Sequence, residues 1–219
     1  MVEAAKSLLL ILSALFPIVN PLGGSPVFFS LTAEYSHETR KALALRIARN
    51  SFFLLVGSYL IGTHVLAFFG ISIPVVQVGG GLVVTSTGWA MLKRKDDEER
   101  KEVRSNAQPQ DPFRQAFYPF TLPLTVGPGS ISIAITLGAN AHHNGLDPWT
   151  GLAALVGSAV MAASIYVCYG FSDRLARFLG PSAMTVVMRL SSFLLVCIGV
   201  QILWNGVSAL LASVPIHVR

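Results

Sequence analysis

From Ser7 to Ala33 the chain runs 27 residues without one charged side chain. Five more such runs follow, over 51–70, 71–92, 115–146, 148–172 and 190–218. Roughly 18–20 apolar residues in a helix cross a hydrocarbon core, and each run meets that length. An ordinary soluble domain carries about 25% charged residues; this chain carries 12%, against 53% hydrophobic. The expected fold class is therefore all-α, a polytopic membrane protein with six transmembrane helices. The second and third runs adjoin, but Gly70-Ile-Ser-Ile-Pro74 supplies a turn between them. Cys168 and Cys197 fall inside predicted spans and read as small packing residues, not as a disulfide framework.

Six crossings sort the charges. Fourteen of the 16 Lys and Arg residues lie in or beside three loops on one side, among them Arg40, Lys41, Arg46, Arg49, Arg114 and Arg174, against Lys6 and Arg219 on the other. The positive-inside rule predicts that those loops are cytoplasmic and both termini outside. The net charge of +5 is thus topological, and the expected surroundings are a lipid bilayer, with no nucleic-acid partner. The dense mixed-charge stretch of 93–114 reads as an exposed cytoplasmic loop. It divides one membrane domain, 1–219, into a first repeat of about 1–92 and a second of about 115–212.

Two of the runs are interrupted. Pro17-Ile-Val-Asn20-Pro21-Leu-Gly23-Gly24-Ser25-Pro26 places three prolines and two glycines in ten residues, yet Val27-Phe-Phe resumes the apolar pattern at once. Pro119-Phe-Thr121-Leu-Pro123-Leu-Thr125-Val-Gly127-Pro128-Gly129-Ser130 does the same half a chain later. Proline removes an N–H donor and clashes one turn back, so both stretches predict discontinuous helices 1 and 4. A half-helix is expected to re-form at Gly24. Around the breaks the halves match in order, Phe69-Gly70-Ile-Ser72 with Leu179-Gly180-Pro-Ser182 and Leu82 to Leu92 with Phe193 to Leu203, at an offset of 110 or 111. Three spans per copy make the second copy inverted, which predicts a 3+3 inverted repeat.

Broken membrane helices leave N–H groups at the start of one half and C=O groups at the end of the other. Such backbone survives in a membrane only when buried in protein or lining a wet cavity. Positive helix ends suit a carboxylate and free carbonyls suit an ammonium group or sodium ion, so two facing breaks match a small zwitterionic substrate. The candidate binding residues are Asn20, Pro21, Gly23, Gly24, Ser25, Thr121, Thr125, Gly127, Pro128, Gly129 and Ser130. Gln77, Gly80, Gly81 and Gln201 are candidates for lining the cavity. Phe28, Phe29 and Phe120 are expected to wall it and limit ligand size.

All 11 acidic residues lie at span ends or outside the spans. No metal site, carboxylate proton relay or other cofactor is expected, which leaves sodium or protons as candidate coupling ions through backbone oxygens and neutral side chains. An enzymatic role is not expected either. Gly129-Ser130 and Gly157-Ser158 supply serines for an intramembrane protease, but neither continues to the second Gly of a Gly-x-Ser-Gly motif, and no histidine stands as a base.

Phe16-Pro-Ile-Val-Asn20-Pro21-Leu-Gly23-Gly24-Ser-Pro26, paired with Pro123-Leu-Thr125-Val-Gly127-Pro128-Gly129-Ser130, resembles the signature of the MarC family. Leu194-Leu-Val-Cys-Ile-Gly199-Val-Gln201 is also similar to that family, and the likeness covers nearly the whole chain outside the charged loop. The resemblance implies six spans with helices 1 and 4 discontinuous. It implies functional roles for Asn20, Pro21, Gly23 and Gly24, for Thr125, Gly127, Pro128, Gly129 and Ser130, and for the pair Gly80 and Gly81. Members similar to the small neutral amino-acid transporter SnatA imply movement of glycine and alanine across the cytoplasmic (inner) membrane of a prokaryote. Two other functions stay open at this point: export of drugs or other metabolites, suggested by the multiple-antibiotic-resistance label, and a non-transporting scaffold or efflux-system partner.

Overall fold

A computed structural model describes residues 2–93, 113–143 and 148–213; for 2–4, 142, 143, 176, 179, 181, 182 and 184 the backbone alone is described. The predicted charged loop from 94 to 112, Asp147 and the side chains of His142 and His143 lie outside the described residues. Within them every regular element is helical: α1 Val2–Val19, α2 Pro21–Leu31, α3 His37–Phe68, α4 Ile73–Lys93, α5 Pro128–His143, α6 Pro148–Gly170 and α7 Ser172–Ala212, the last broken at Gly180. Between α4 and α5, a single tight turn at Arg114–Ala116 leads into an irregular segment, Phe117–Thr125.

Among the described residues five stretches are long and apolar enough to cross a membrane: Ala5–Leu31, His37–Phe68, Ile73–Lys93, Pro148–Gly170 and Thr185–Ala212. A sixth forms if Arg114–Thr125 and Pro128–Ala141, bent by 72° at their junction, count as one span. The outside of the bundle is apolar, with Leu9, Phe68, Phe178 and Val186 projecting outward. Trp89 and Trp149 also stand exposed near span ends, where amphipathic rings settle at a membrane interface.

Local chemistry sets the joints. Ser36 caps α3 by accepting the Thr39 N–H at 3.1 Å. Gly70, at φ 65°, turns the chain from α3 into α4, and Gly180, at φ 71°, does so within α7. Near the start of α3, Arg40 is buried, only 5% exposed. Its guanidinium donates to Thr32 Oγ1 at 3.1 Å, to the Thr32 carbonyl at 2.8 Å and to the Tyr35 carbonyl at 3.0 Å, and sits 5.0 Å from the Phe29 ring centre. It thereby closes the carbonyl end of α2 with charge of the favourable sign. Arg40→Ala should strand those carbonyls and cost about 2–4 kcal/mol, read as a lowered melting temperature in detergent; Arg40→Lys should restore only part, since an ammonium lacks the planar fork.

One turn earlier, His37 Nδ1 and Asp173 Oδ2 lie 3.1 Å apart, joining the start of α3 to the start of α7. Burial alone would raise the Asp173 pKa, but the Arg174 backbone N–H, His37 and Arg177 together hold the carboxyl below its ordinary value. Further along, Arg46 stacks over the Phe113 ring at 4.1 Å.

α4 and α7 pack antiparallel along a seam of glycines. A Cβ on Gly81 would lie 2.5 Å from the Leu203 nitrogen, one on Gly88 2.9 Å from the Val196 nitrogen, and one on Gly206 2.6 Å from the Pro74 carbonyl. Backbones approach this closely only where side chains are absent, the usual basis of helix association in lipid. Elsewhere α3 packs on α6, α3 on α5, α1 on α6, α4 on α5, and α2 on both α6 and α7. The buried core runs through Leu43, Ile47 and Leu55 of α3, Met161 and Ile165 of α6, and Phe28 of α2.

Candidate functional site

The first interruption is narrower than its sequence suggests. Asn20 alone leaves the helical conformation, at φ 45° and ψ 58°, and α2 starts at Pro21, three residues before the expected Gly24. Proline is tolerated there because the first N–H of a helix has no intrahelical partner. Asn20 suits the left-handed conformation better than most residues. Its Oδ1 accepts the Gly23 N–H at 3.1 Å, and its carbonyl accepts the Gly24 N–H at 2.9 Å. α1 and α2 therefore continue as one span with a single capped joint.

The second interruption is wider. Tyr118 and Leu122 are extended, and the Val126 N–H reaches back five residues to the Thr121 carbonyl at 2.8 Å. In this stretch Pro119 and Pro123 lack N–H donors, and two hydroxyls bond back to carbonyls five residues earlier. Thr121 Oγ1 donates to the Ala116 carbonyl at 2.6 Å and Thr125 Oγ1 to the Phe120 carbonyl at 2.7 Å. The chain turns sharply at Val126 and Gly127, and α5 opens on Pro128-Gly129-Ser130. Ser130 Oγ donates to the Gly127 carbonyl at 2.9 Å, so it binds behind the helix start and does not cap it.

Each half of one interrupted span packs on a half of the other: α1 on α5, and α2 on the irregular segment. Phe28 of α2 meets Phe120 edge-on, ring centres 5.6 Å apart. Phe28 also stacks on Tyr169 of α6 at 4.6 Å and 12°. Glycine makes these approaches feasible at two positions in particular: a Cβ on Gly24 would lie 2.5 Å from the Tyr169 hydroxyl, and one on Gly23 2.5 Å from Ser191 Cβ of α7.

The structure thus gathers both predicted stretches at one crossing and gives their hydroxyls work within the protein. Ser25, fully buried, donates to the Cys168 carbonyl of α6 at 2.8 Å. Thr121 and Ser130 bond locally, and Thr125 bonds both locally and with the Tyr169 hydroxyl of α6, 3.1 Å away. At the start of α2 the Gly23 and Gly24 N–H groups are both taken by Asn20, and at the start of α5 Gly129 packs against Val84 of α4. Gly80 packs against Ser132 and faces the Pro128 carbonyl, so α4 borders the second break. Gln77 reaches Thr136 Oγ1 at 3.4 Å on the same side. Gln201 stands apart on an exposed face of α7, its Nε2 donating to Asn205 Oδ1 at 2.9 Å.

Two residues of the crossing carry no motif. Asn50 Nδ2 points at Thr121 Oγ1 from 3.5 Å; counting span 2 from the first residue after the charges, Ser51, leaves it out, although an amide within a membrane helix is itself a signal. Tyr169 lies in the apolar run Ile165-Tyr-Val-Cys-Tyr169, where periodicity does not say which ring faces the breaks.

A family model described as MarC family integral membrane protein matches residues 5–211. The chain is 31% identical over 214 residues to the UPF0056 inner membrane protein MarC of Salmonella typhimurium (strain LT2), covering 94% of this chain and 96% of the relative. It is 31% identical over 215 residues to the protein of the same name from Citrobacter koseri, with the same coverage. To the UPF0056 membrane protein YvbG of Bacillus subtilis (strain 168) it is 28% identical over 204 residues, 90% of this chain and 92% of the relative. No solved structure matches the chain.

Proposed function

The chain belongs to the MarC family of integral membrane proteins, and from that premise we propose that it is a secondary transporter of small neutral amino acids of the glycine and alanine class. It works by alternating access around a site between interrupted helices 1 and 4. The observation that carries this reading is the crossing itself: a capped left-handed joint at Asn20 and a 72° bend at Gly127, brought together by packing of α1 on α5 and α2 on Phe117–Thr125. In support of this, the half-helix starts carry positive dipole ends that suit a carboxylate, and the second lone pairs of the carbonyls around the irregular segment suit an ammonium group. Phe28 and Phe120 close the space to anything larger than a short side chain.

The inverted repeat belongs to this proposal. In its support, exchanging the two halves maps the packed pairs onto one another: α1–α6 onto the irregular segment with α3, α2–α6 onto α5–α3, and α2–α7 onto α5–α4. Gly70 and Gly180, both at positive φ, stand 110 residues apart. The distribution of Lys and Arg supports termini outside and the Thr32–Ser36 connection in the cytoplasm.

Purified protein in liposomes tests the function. Labelled glycine and alanine should accumulate above the level of empty liposomes, with sodium and proton gradients imposed separately to identify the coupling ion. Gly127→Leu, which places a branched side chain at the bend, should abolish uptake while the protein still elutes as wild type. Absence of uptake of either amino acid under both gradients would overturn the reading. A drug or other metabolite that drives exchange in the same vesicles where glycine does not would favour the export alternative.

A further inference from the structure

We propose that Tyr169 is the positioning residue that clamps the two interruptions together, and that releasing it is the step that opens the site toward the cytoplasm; this rests on the transport reading. Tyr169 is completely buried. It belongs to α6, outside both interrupted spans, yet it touches both. Its ring stacks on Phe28 of α2, and its hydroxyl lies 3.1 Å from Thr125 Oγ1 of the second break. The missing Cβ of Gly24 is what admits that hydroxyl. Beside it, the Cys168 carbonyl takes the Ser25 hydroxyl, so α2 is held to α6 twice within two residues.

The charge distribution places the end of α6 and the end of α2 on the cytoplasmic side, so this aromatic plug lies between the breaks and the cytoplasm. Alternating access requires α2 and the second break to separate on that side. That separation must part the Phe28–Tyr169 stack and the Thr125–Tyr169 hydrogen bond. A neutral hydrogen bond of this kind shifts a two-state equilibrium by about five-fold.

Cys168 is a built-in reporter, half-buried next to the clamp. In a Cys197→Ser background, Tyr169→Phe should raise the rate at which Cys168 reacts with a water-soluble maleimide by about five-fold. Thr125→Val should do at least as much, the double variant should react no faster than Thr125→Val alone, and Thr125→Ser should behave as wild type. Glycine uptake by Tyr169→Phe should change in Vmax, with KM held within about two-fold, because the phenol does not touch the ligand. Unchanged labelling in both single variants, or effects that multiply in the double, would overturn the clamp. Labelling needs no substrate, so failure of wild-type glycine uptake counts against the transport reading and leaves the contact to be judged by labelling alone.

Discussion

Gly81→Ala should leave little monodisperse protein in detergent, whereas Gly79→Ala, two positions away, should be recovered at or above the wild-type level. The three glycines 79–81 form one sequence feature but meet three different surroundings. Nothing lies within 4 Å of a Cβ on Gly79, so alanine there only removes backbone freedom from the unfolded chain. That change stabilises a helix by roughly 0.5–1 kcal/mol. A Cβ on Gly80 would lie 2.8 Å from Ser132 Cβ. The neighbour is a small side chain that can shift, at a cost of about 1–3 kcal/mol for overpacking. On Gly81 the Cβ would meet backbone, the Leu203 nitrogen at 2.5 Å and the Gly199 carbonyl at 2.7 Å. Backbone cannot rotate away, so α4 and α7 must part along their seam and lose the contacts that hold the pair. Fluorescence-detected size exclusion and thermal melts on the three variants read the series directly. Recovery of Gly81→Ala with a wild-type melt would show that the seam is not tightly packed. Gly80→Ala carries a second expectation, because its neighbours Ser132 and Pro128 border the second break: uptake should fall more than stability does.

The spans and joints were legible because hydrophobicity and turn chemistry act locally. The uncharged runs locate the spans without delimiting them, since α3 and α7 begin well before theirs, at His37 and Ser172; Gly70 turns the chain where the two runs meet. The positions of the interruptions were legible as well, but not their shapes. Proline content predicts a gap at the first break, where Asn20 needs only one left-handed residue and a side-chain cap to carry the helix on. At the second, Thr121 and Thr125 read as ligand donors. The carbonyls of Ala116 and Phe120, five residues earlier, compete for those hydroxyls, and the nearer acceptor wins. The clamp at Tyr169 was not legible, since an aromatic ring in an apolar run shows its neighbours only after α6 has docked between the breaks. The same holds for Arg40, whose sequence position beside Lys41 suggests a solvated pair, while its burial follows from where α2 ends.

Asn20→Asp should fold as wild type and lose glycine uptake by more than about ten-fold, the effect of a 1.4 kcal/mol difference in binding. Asn20 has two tasks that substitutions can separate. It sits at φ 45°, a conformation open to Asn, Asp and Gly but costing other residues about 1–2 kcal/mol. It also gives Oδ1 to the Gly23 N–H. Aspartate keeps both, and its charge at a helix start is favourable, so melting and elution should hold. In the proposed site, however, that carboxylate takes the place meant for the carboxylate of the substrate and repels it. Glycine at position 20 separates the tasks from the other direction, keeping the backbone shape and losing only the cap, at a cost of a few tenths of a kcal/mol. Asn20→Gly should therefore retain measurable uptake where Asn20→Asp does not. Alanine should damage both fold and transport, because it strains the joint and uncaps α2 together. Wild-type uptake by Asn20→Asp would mean that the anionic end of the ligand does not bind at the start of α2, and would move the site to the bend at Gly127 alone.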